Sequence, residues 1–341
     1  MAQKQKDKPD IVAVAKAAGV SISTVSRSFN HPDLLKPATR KKIDRAVQKL
    51  GYIRNRAAQV MHGRRSGTIG LVVPTIDNAI FAELIQSFSD GLDERGFTML
   101  IASHGFDLER EYTMLRKLME HRVDGLALIG LEHSTATYQL IEQQGVPAVA
   151  IWNYSKDARM SCVGVENSEA GRMAGRHLLD LGHRDIGLIF PNPAGNDRAH
   201  DRLHGALEEL RREQVSVPDE WRLEAPYNIA EAKRACLSLL EETPRPTAIL
   251  CGNDIIAQGA LYAAKQLELR VPEELSIMGI ADFKGSGEIE PSLSTIRIPA
   301  KRIGALAAEQ ITNEVTGLSD GITATICEVR LLPRASTARV S

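Results

Sequence analysis

The chain has 341 residues, more than one hydrophobic core usually spans, and an apolar content of 43% with only 4% aromatics describes an aliphatic α/β protein, not a disordered or fibrous one. Its four cysteines, Cys162, Cys236, Cys251 and Cys327, form no CxxC pair, which argues against a disulfide framework or a zinc site and for a reducing cytoplasm. The opening MAQKQKDKPD lacks the apolar core of a signal peptide, and no apolar run approaches the ~20 residues of a membrane span, so a soluble cytoplasmic protein with no membrane partner is expected.

The net charge of −1 hides a division. Residues 1–65 carry 15 Lys and Arg against 4 Asp and Glu, or +11, and the remaining 27 basic and 39 acidic residues leave −12. A basic head on an acidic body is the footprint of nucleic-acid binding. A basic disordered tail would share the charge, but this head also carries helical periodicity and caps.

Residues 10–17, 21–29 and 37–50 read as three short helices. Asp10 is a candidate N-cap for the first, with Ile11, Val14 and Ala15 on one face. Gly19 breaks it, Ser21 can cap the second, and Pro37 suits the first turn of the third. Two short helices around a glycine suit a helix-turn-helix, and the second is dense in hydroxyl side chains that bond phosphate oxygens. A stretch with few helix breakers, residues 55–62, then ends at Gly63, and at about two turns it would be mostly coil alone in water.

From Thr68 onward, short apolar runs alternate with amphipathic helices. The runs are Ile69–Val73, Phe97–Ala102, Gly125–Ile129, Pro147–Ile151 and Cys162–Val165, then Ile186–Phe190, Thr247–Cys251, Leu275–Ile280, Leu293–Ile298 and Ile322–Leu332. Such runs predict parallel sheets covered on both faces, and there are enough for two Rossmann-like lobes. Sheets of this kind bind ligands at the carboxyl ends of their strands, where two lobes can close a cleft. The enzyme reading finds no GxGxxG after a strand, no P-loop and no GxSxG elbow. HDRLH lacks the glutamate that HExxH requires, so neither a metal nor a cofactor is expected.

The string VAKAAGVSISTVSRSFN, followed by TRKKI, LGY and NRAAQVM in register, resembles the lactose-repressor (LacI/GalR) family of bacterial regulators. Later blocks such as RVDGLAL, LGHRDIGLI, PRPTAILCGND and PSLSTIRIP extend the resemblance over about residues 10–332. It implies an α/β chain with an all-α helix-turn-helix head (1–53), a hinge helix and linker (54–66), and an effector-binding domain (67–341). That domain would have two parallel-sheet lobes of the periplasmic-binding-protein type, an N-lobe of about 67–164 plus 297–325 and a C-lobe of about 166–295 plus 326–337.

By the same resemblance, Ile22, Ser23 and Arg27 fall where the family reads bases, and Ser21, Thr24, Ser26 and Asn30 where it contacts the DNA backbone or caps the turn. Asn55, Ala58 and Met61 share one face of the hinge, with Met61 in place of the leucine that wedges into the minor groove. Lys36 stands where a serine cap is frequent. For the effector the resemblance points to Asn78, Phe81, Trp152, Arg198, Arg202, Tyr227, Asn253 and Asp282. Ala281 and Trp152 replace frequent aspartates, while Arg198, His200, Arg202 and His204 crowd one segment. Fewer anions and more cations favour a sugar acid or similar small carboxylate over a neutral sugar, a nucleoside or another ligand, because arginine binds carboxylate bidentately. The partners implied are a pseudo-palindromic duplex operator, that small effector and a second copy of the chain. The C-terminus, 335–341, shows no leucine heptad, so a dimer is expected and not a helix-tied tetramer.

Overall fold

The computed structural model describes residues 9–54, 65–77, 79–319 and 321–340, which fall into two units divided between Ser66 and Gly67. In the first, helices Ile11–Ala18, Ile22–Asn30 and Pro37–Leu50 enclose a small core. Asp10 caps the first helix by accepting from the Ala13 amide at 2.8 Å. Gly19 ends it at φ 66°, a left-handed conformation that only glycine adopts without strain, and the chain turns at once into the second helix. Val14, Ala15, Val25, Ile43 and Ala46 are buried, one stripe from each helix. Each fully buried Val or Ile contributes about 1.5–3 kcal/mol, so this core depends on every member. The third helix starts at Pro37 with no side-chain cap, because Lys36 occupies the cap position.

The second unit holds two six-stranded sheets. The strands are β1 (Thr68–Val73), β2 (Thr98–Ser103), β3 (Gly125–Ile129), β4 (Ala148–Asn153), β5 (Ser161–Val165), β6 (Ile186–Phe190), β7 (Arg222–Glu224), β8 (Ala248–Cys251), β9 (Ser276–Ala281), β10 (Ser294–Arg297), β11 (Ala324–Ile326) and β12 (Arg330–Leu332). One sheet runs β11-β5-β4-β3-β1-β2 and is parallel throughout; the other runs β12-β10-β9-β8-β6-β7, with β12 alone antiparallel. β1, β3, β4, β5, β6, β8 and β9 are buried nearly end to end, as sheets covered on both faces require. The apolar run Ile322–Leu332 is two strands, not one: β11 closes the first sheet and β12 the second, so the chain crosses between lobes within it.

Helices Asn167–Asp180 and Asp197–Arg212 of the second lobe cross so closely that Gly171 lies against the Arg202 carbonyl and Gly205 against that of Ser168. A methyl group at either glycine would overlap backbone. This crossing holds Arg202 at the face where the two lobes meet.

Candidate functional site

In the head, the second helix begins under a hydroxyl cap. Ser21 accepts from the Thr24 amide at 3.1 Å and shares hydrogen bonds of 2.8 Å with the Ser23 and Thr24 hydroxyls. Val25 points into the core with no exposure, which turns Ile22, Ser23 and Arg27 outward on the same helix. Ile22 is 47% exposed, an apolar residue that the head's own core does not use. Thr24 and Ser26 are half-buried at the flank of that surface, and Asn30 ends the helix. Lys16, Lys36, Arg40, Lys41 and Lys42 are exposed cations of the same unit, suited to phosphate. Arg54 approaches the head instead, bonding the Phe29 carbonyl at 3.5 Å with its guanidinium 5.4 Å from the Phe29 ring centre. Asn55, Ala58 and Met61 lie outside the described residues.

The second unit carries a cleft between its lobes, built from loops at the carboxyl ends of strands, as in doubly wound sheets generally. An outer cavity of about 440 Å³ is lined by Thr75, Asp77, Phe106, Asn192, Asn196 and Tyr227, among others. A nearly filled inner pocket adjoins it, lined by Phe81, Phe106, Trp152, Arg198, Arg202, Tyr227 and Asn253. The Phe106 and Tyr227 rings, 5.9 Å apart, stand in both linings and divide them.

Six of the residues expected for the effector therefore meet in one pocket. Trp152 is buried and set edge-on to Phe81, with ring centres 5.7 Å apart, so it walls the pocket with no broad ring face exposed for stacking. Asn253 Oδ1 accepts from the Ile256 amide at 3.0 Å, capping helix Asp254–Gln266. Arg202 donates to Asn167 Oδ1 at 2.9 Å and to the Gly252 carbonyl at 3.2 Å, both neutral oxygens. Complete burial pulls its guanidinium down to about 10, opposed by the nearby Tyr227 and Asp254. Arg198 pairs with Asp197 at 2.8 Å through Nη1, while its Nη2 is buried with no hydrogen-bond partner.

Asp282 departs from the expectation. Two consecutive left-handed residues, Ala281 at φ 127° and Asp282 at φ 59°, turn the chain at the end of β9. They bring the carboxylate between Arg297 at 2.6 Å and Arg334 at 2.7 Å, on a separate cavity of about 540 Å³. His200 and His204 also lie elsewhere, on the exposed helix face, beside Asp201 and Glu208. Asn78 is outside the described residues. Sequence reasoning missed Phe106, Asn196 and Asp197. Phe106 follows the run Phe97–Ala102, so the strand-end rule pointed to that loop without naming the residue. Among the described residues, no cluster of His, Cys, Asp or Glu is arranged to hold a metal ion, and no helix is long and apolar enough to cross a membrane.

A hydroxyl-capped helix-turn-helix joined to a two-lobed body with a guanidinium-lined cleft defines a ligand-responsive DNA-binding regulator. Residues 10–55 match the model of bacterial regulatory proteins of the lacI family, and residues 176–337 that of a periplasmic binding protein-like domain. The chain is 30% identical over 328 residues to the HTH-type transcriptional repressor PurR of Klebsiella pneumoniae, covering 95% of this chain and 96% of the relative. Its fold matches the lac repressor dimer bound to operator and the anti-inducer ONPF, with a TM-score of 0.86 and 25% identity, over 97% of this chain and all of that one. The transcription regulator GntR from Chromobacterium violaceum matches with a TM-score of 0.75 and 29% identity, over 79% of this chain and 99% of that one. The chain belongs to the lacI family of bacterial regulatory proteins. It is a DNA-binding transcriptional regulator with an effector-binding domain, and not an enzyme.

Proposed function

We propose that this protein is a cytoplasmic repressor that binds a pseudo-palindromic operator as a homodimer and responds to a sugar acid held between its lobes. Ile22, Ser23 and Arg27 read base edges in the major groove, with Ser21, Thr24, Ser26 and Asn30 on the phosphate backbone. Asn55, Ala58 and Met61 of the hinge, residues 54–66, are assigned to the minor groove. The outward set of Ile22 and Arg27 beside the buried Val25 supports the first assignment. For the second copy, support comes from β2, an edge strand with Leu100 and Ile101 over a third exposed.

The observation that carries the effector class is the unpartnered, buried Nη2 of Arg198 beside Arg202, whose own bonds run to neutral oxygens. Arg198 meets Asp197 through Nη1 alone and Arg202 bonds no anion, so a carboxylate arriving between them supplies the acceptor that the buried Nη2 lacks and a counter-charge for Arg202. The buried Asn196 Oδ1, also without a partner, lines the outer cavity and suits a hydroxyl donor. A molecule with one carboxylate and several hydroxyls answers both.

A thermal-shift panel tests this. Gluconate, glucuronate and galacturonate are compared with glucose, galactose and ribose. At 100 times its dissociation constant a ligand adds about 2.7 kcal/mol. The expected result is a melting shift with at least one acid and none with its neutral counterpart. Shifts with neutral sugars alone would overturn the carboxylate reading.

A further inference from the structure

The segment Gly195–Arg198 of the second lobe meets the first lobe at hydrogen-bond distance. Asp197, the first residue of helix Asp197–Arg212, places Oδ2 to accept from the Leu131 amide at 2.6 Å and the Glu132 amide at 3.1 Å. Both amides belong to the loop after β3 in the opposite lobe. Its Oδ1 accepts from the Arg198 amide and from Arg198 Nη1, each at 2.8 Å. Arg198 Nη1 also reaches across to the Ile129 carbonyl at 3.4 Å. One carboxylate therefore collects two donors from each lobe.

The facing loop is shaped for this contact. Gly130 has φ 94°, and a Cβ there would lie 2.5 Å from Arg198 Nη1 and 2.8 Å from Asp197 Oδ1. A few residues along, a Cβ at Gly195 would lie 2.9 Å from the Phe106 carbonyl of the first lobe. Glycine at both places lets the lobes close to hydrogen-bond distance.

We propose that Asp197 is the latch of the effector cleft, a positioning residue that ties the lobes together and aims Arg198 at the bound anion. This rests on the reading that an anion binds at Arg198. With Nη1 committed to Asp197 and Ile129, the free edge of the guanidinium is Nη2, in the inner pocket beside Arg202. Opening the cleft withdraws the Leu131 and Glu132 amides, and Arg198 loses the wall that fixes its orientation. Closing restores both at once. Effector affinity and lobe closure are then linked, and each favours the other by the same factor.

The test uses full-length protein with nitroxide labels on cysteines introduced at Glu109 and Glu220, exposed sites on opposite lobes. The native cysteines are buried. Inter-label distances are recorded with and without D-gluconate for wild type, Asp197→Ala and Gly130→Ala, with circular dichroism as the control for folding. Gly130→Ala blocks the contact without removing any polar group. Wild type should show a short, narrow distance population that both variants lose even without gluconate. Gluconate should bind the variants on the order of 10-fold more weakly. Failure of wild type to bind any acid would remove the ligand reading, yet the ligand-free distances would still report on the latch. Folded variants with wild-type distances would overturn the proposal.

Discussion

Arg202→Met removes a buried charge while keeping most of the side-chain volume. Burial pulls the guanidinium down to about 10, so the folded protein carries that charge at a cost on the order of 3 kcal/mol. The direction follows from the cation. A depressed value penalises the protonated form in the folded state, so the penalty is fully present at all pH below about 10 and fades only above it. Methionine relieves the penalty but leaves Asn167 Oδ1 and the Gly252 carbonyl without their donor, at about 1–3 kcal/mol each. Together the two lost bonds cost about 2–6 kcal/mol, so against the relief the net change lies between a gain of about 1 and a loss of about 3 kcal/mol. Urea unfolding of the ligand-free protein at pH 7 should therefore place Arg202→Met no more than about 3 kcal/mol below wild type, while stabilisation by a sugar acid disappears. A loss well beyond about 3 kcal/mol would show that Arg202 is a structural keystone and not a ligand-binding charge. Retained stabilisation by the acid would refute the ligand-binding role equally.

Arg27→Ala should weaken operator binding by roughly 1–3 kcal/mol and relax the choice at one base pair, whereas Lys16→Ala should weaken binding to all duplexes alike and flatten the salt dependence. Competition among operator variants in gel-shift assays separates the two; an unchanged ranking with Arg27→Ala would exclude base reading there. Ser21→Ala removes the cap of the second helix and should lower its stability by about 1 kcal/mol, seen as faster amide exchange at Thr24 and Val25, with Ser21→Asn restoring it.

Much of the body was legible because buried parallel strands are written as continuous apolar runs, and Gly125–Ile129 and Ile186–Phe190 appear where those runs stand. β7 escaped notice because Arg222-Leu-Glu is a three-residue edge strand with little apolar content. The join between β11 and β12 escaped because apolarity marks strands but not the sheet they enter. In the cleft, Phe81, Trp152, Arg198, Arg202, Tyr227 and Asn253 come together as expected. Asp282 does not, since its direction depends on two left-handed residues that no local pattern announces. Asp197 was invisible for a related reason: its partners are backbone amides sixty-odd residues away, and amides carry no sequence signature.

On the proposed function, an anion in the Arg198–Arg202 cleft controls the hold of the head on DNA. Fluorescence anisotropy measures it directly, using a duplex selected in vitro for this protein, at fixed salt, with and without the acid found in the thermal panel. In wild type the acid should change duplex affinity by about 5–150-fold, the usual span of coupling between two sites. With Arg202→Met the affinity should be the same in both conditions. An acid that stabilises wild type but leaves its duplex affinity unchanged would show that the cleft does not govern the head.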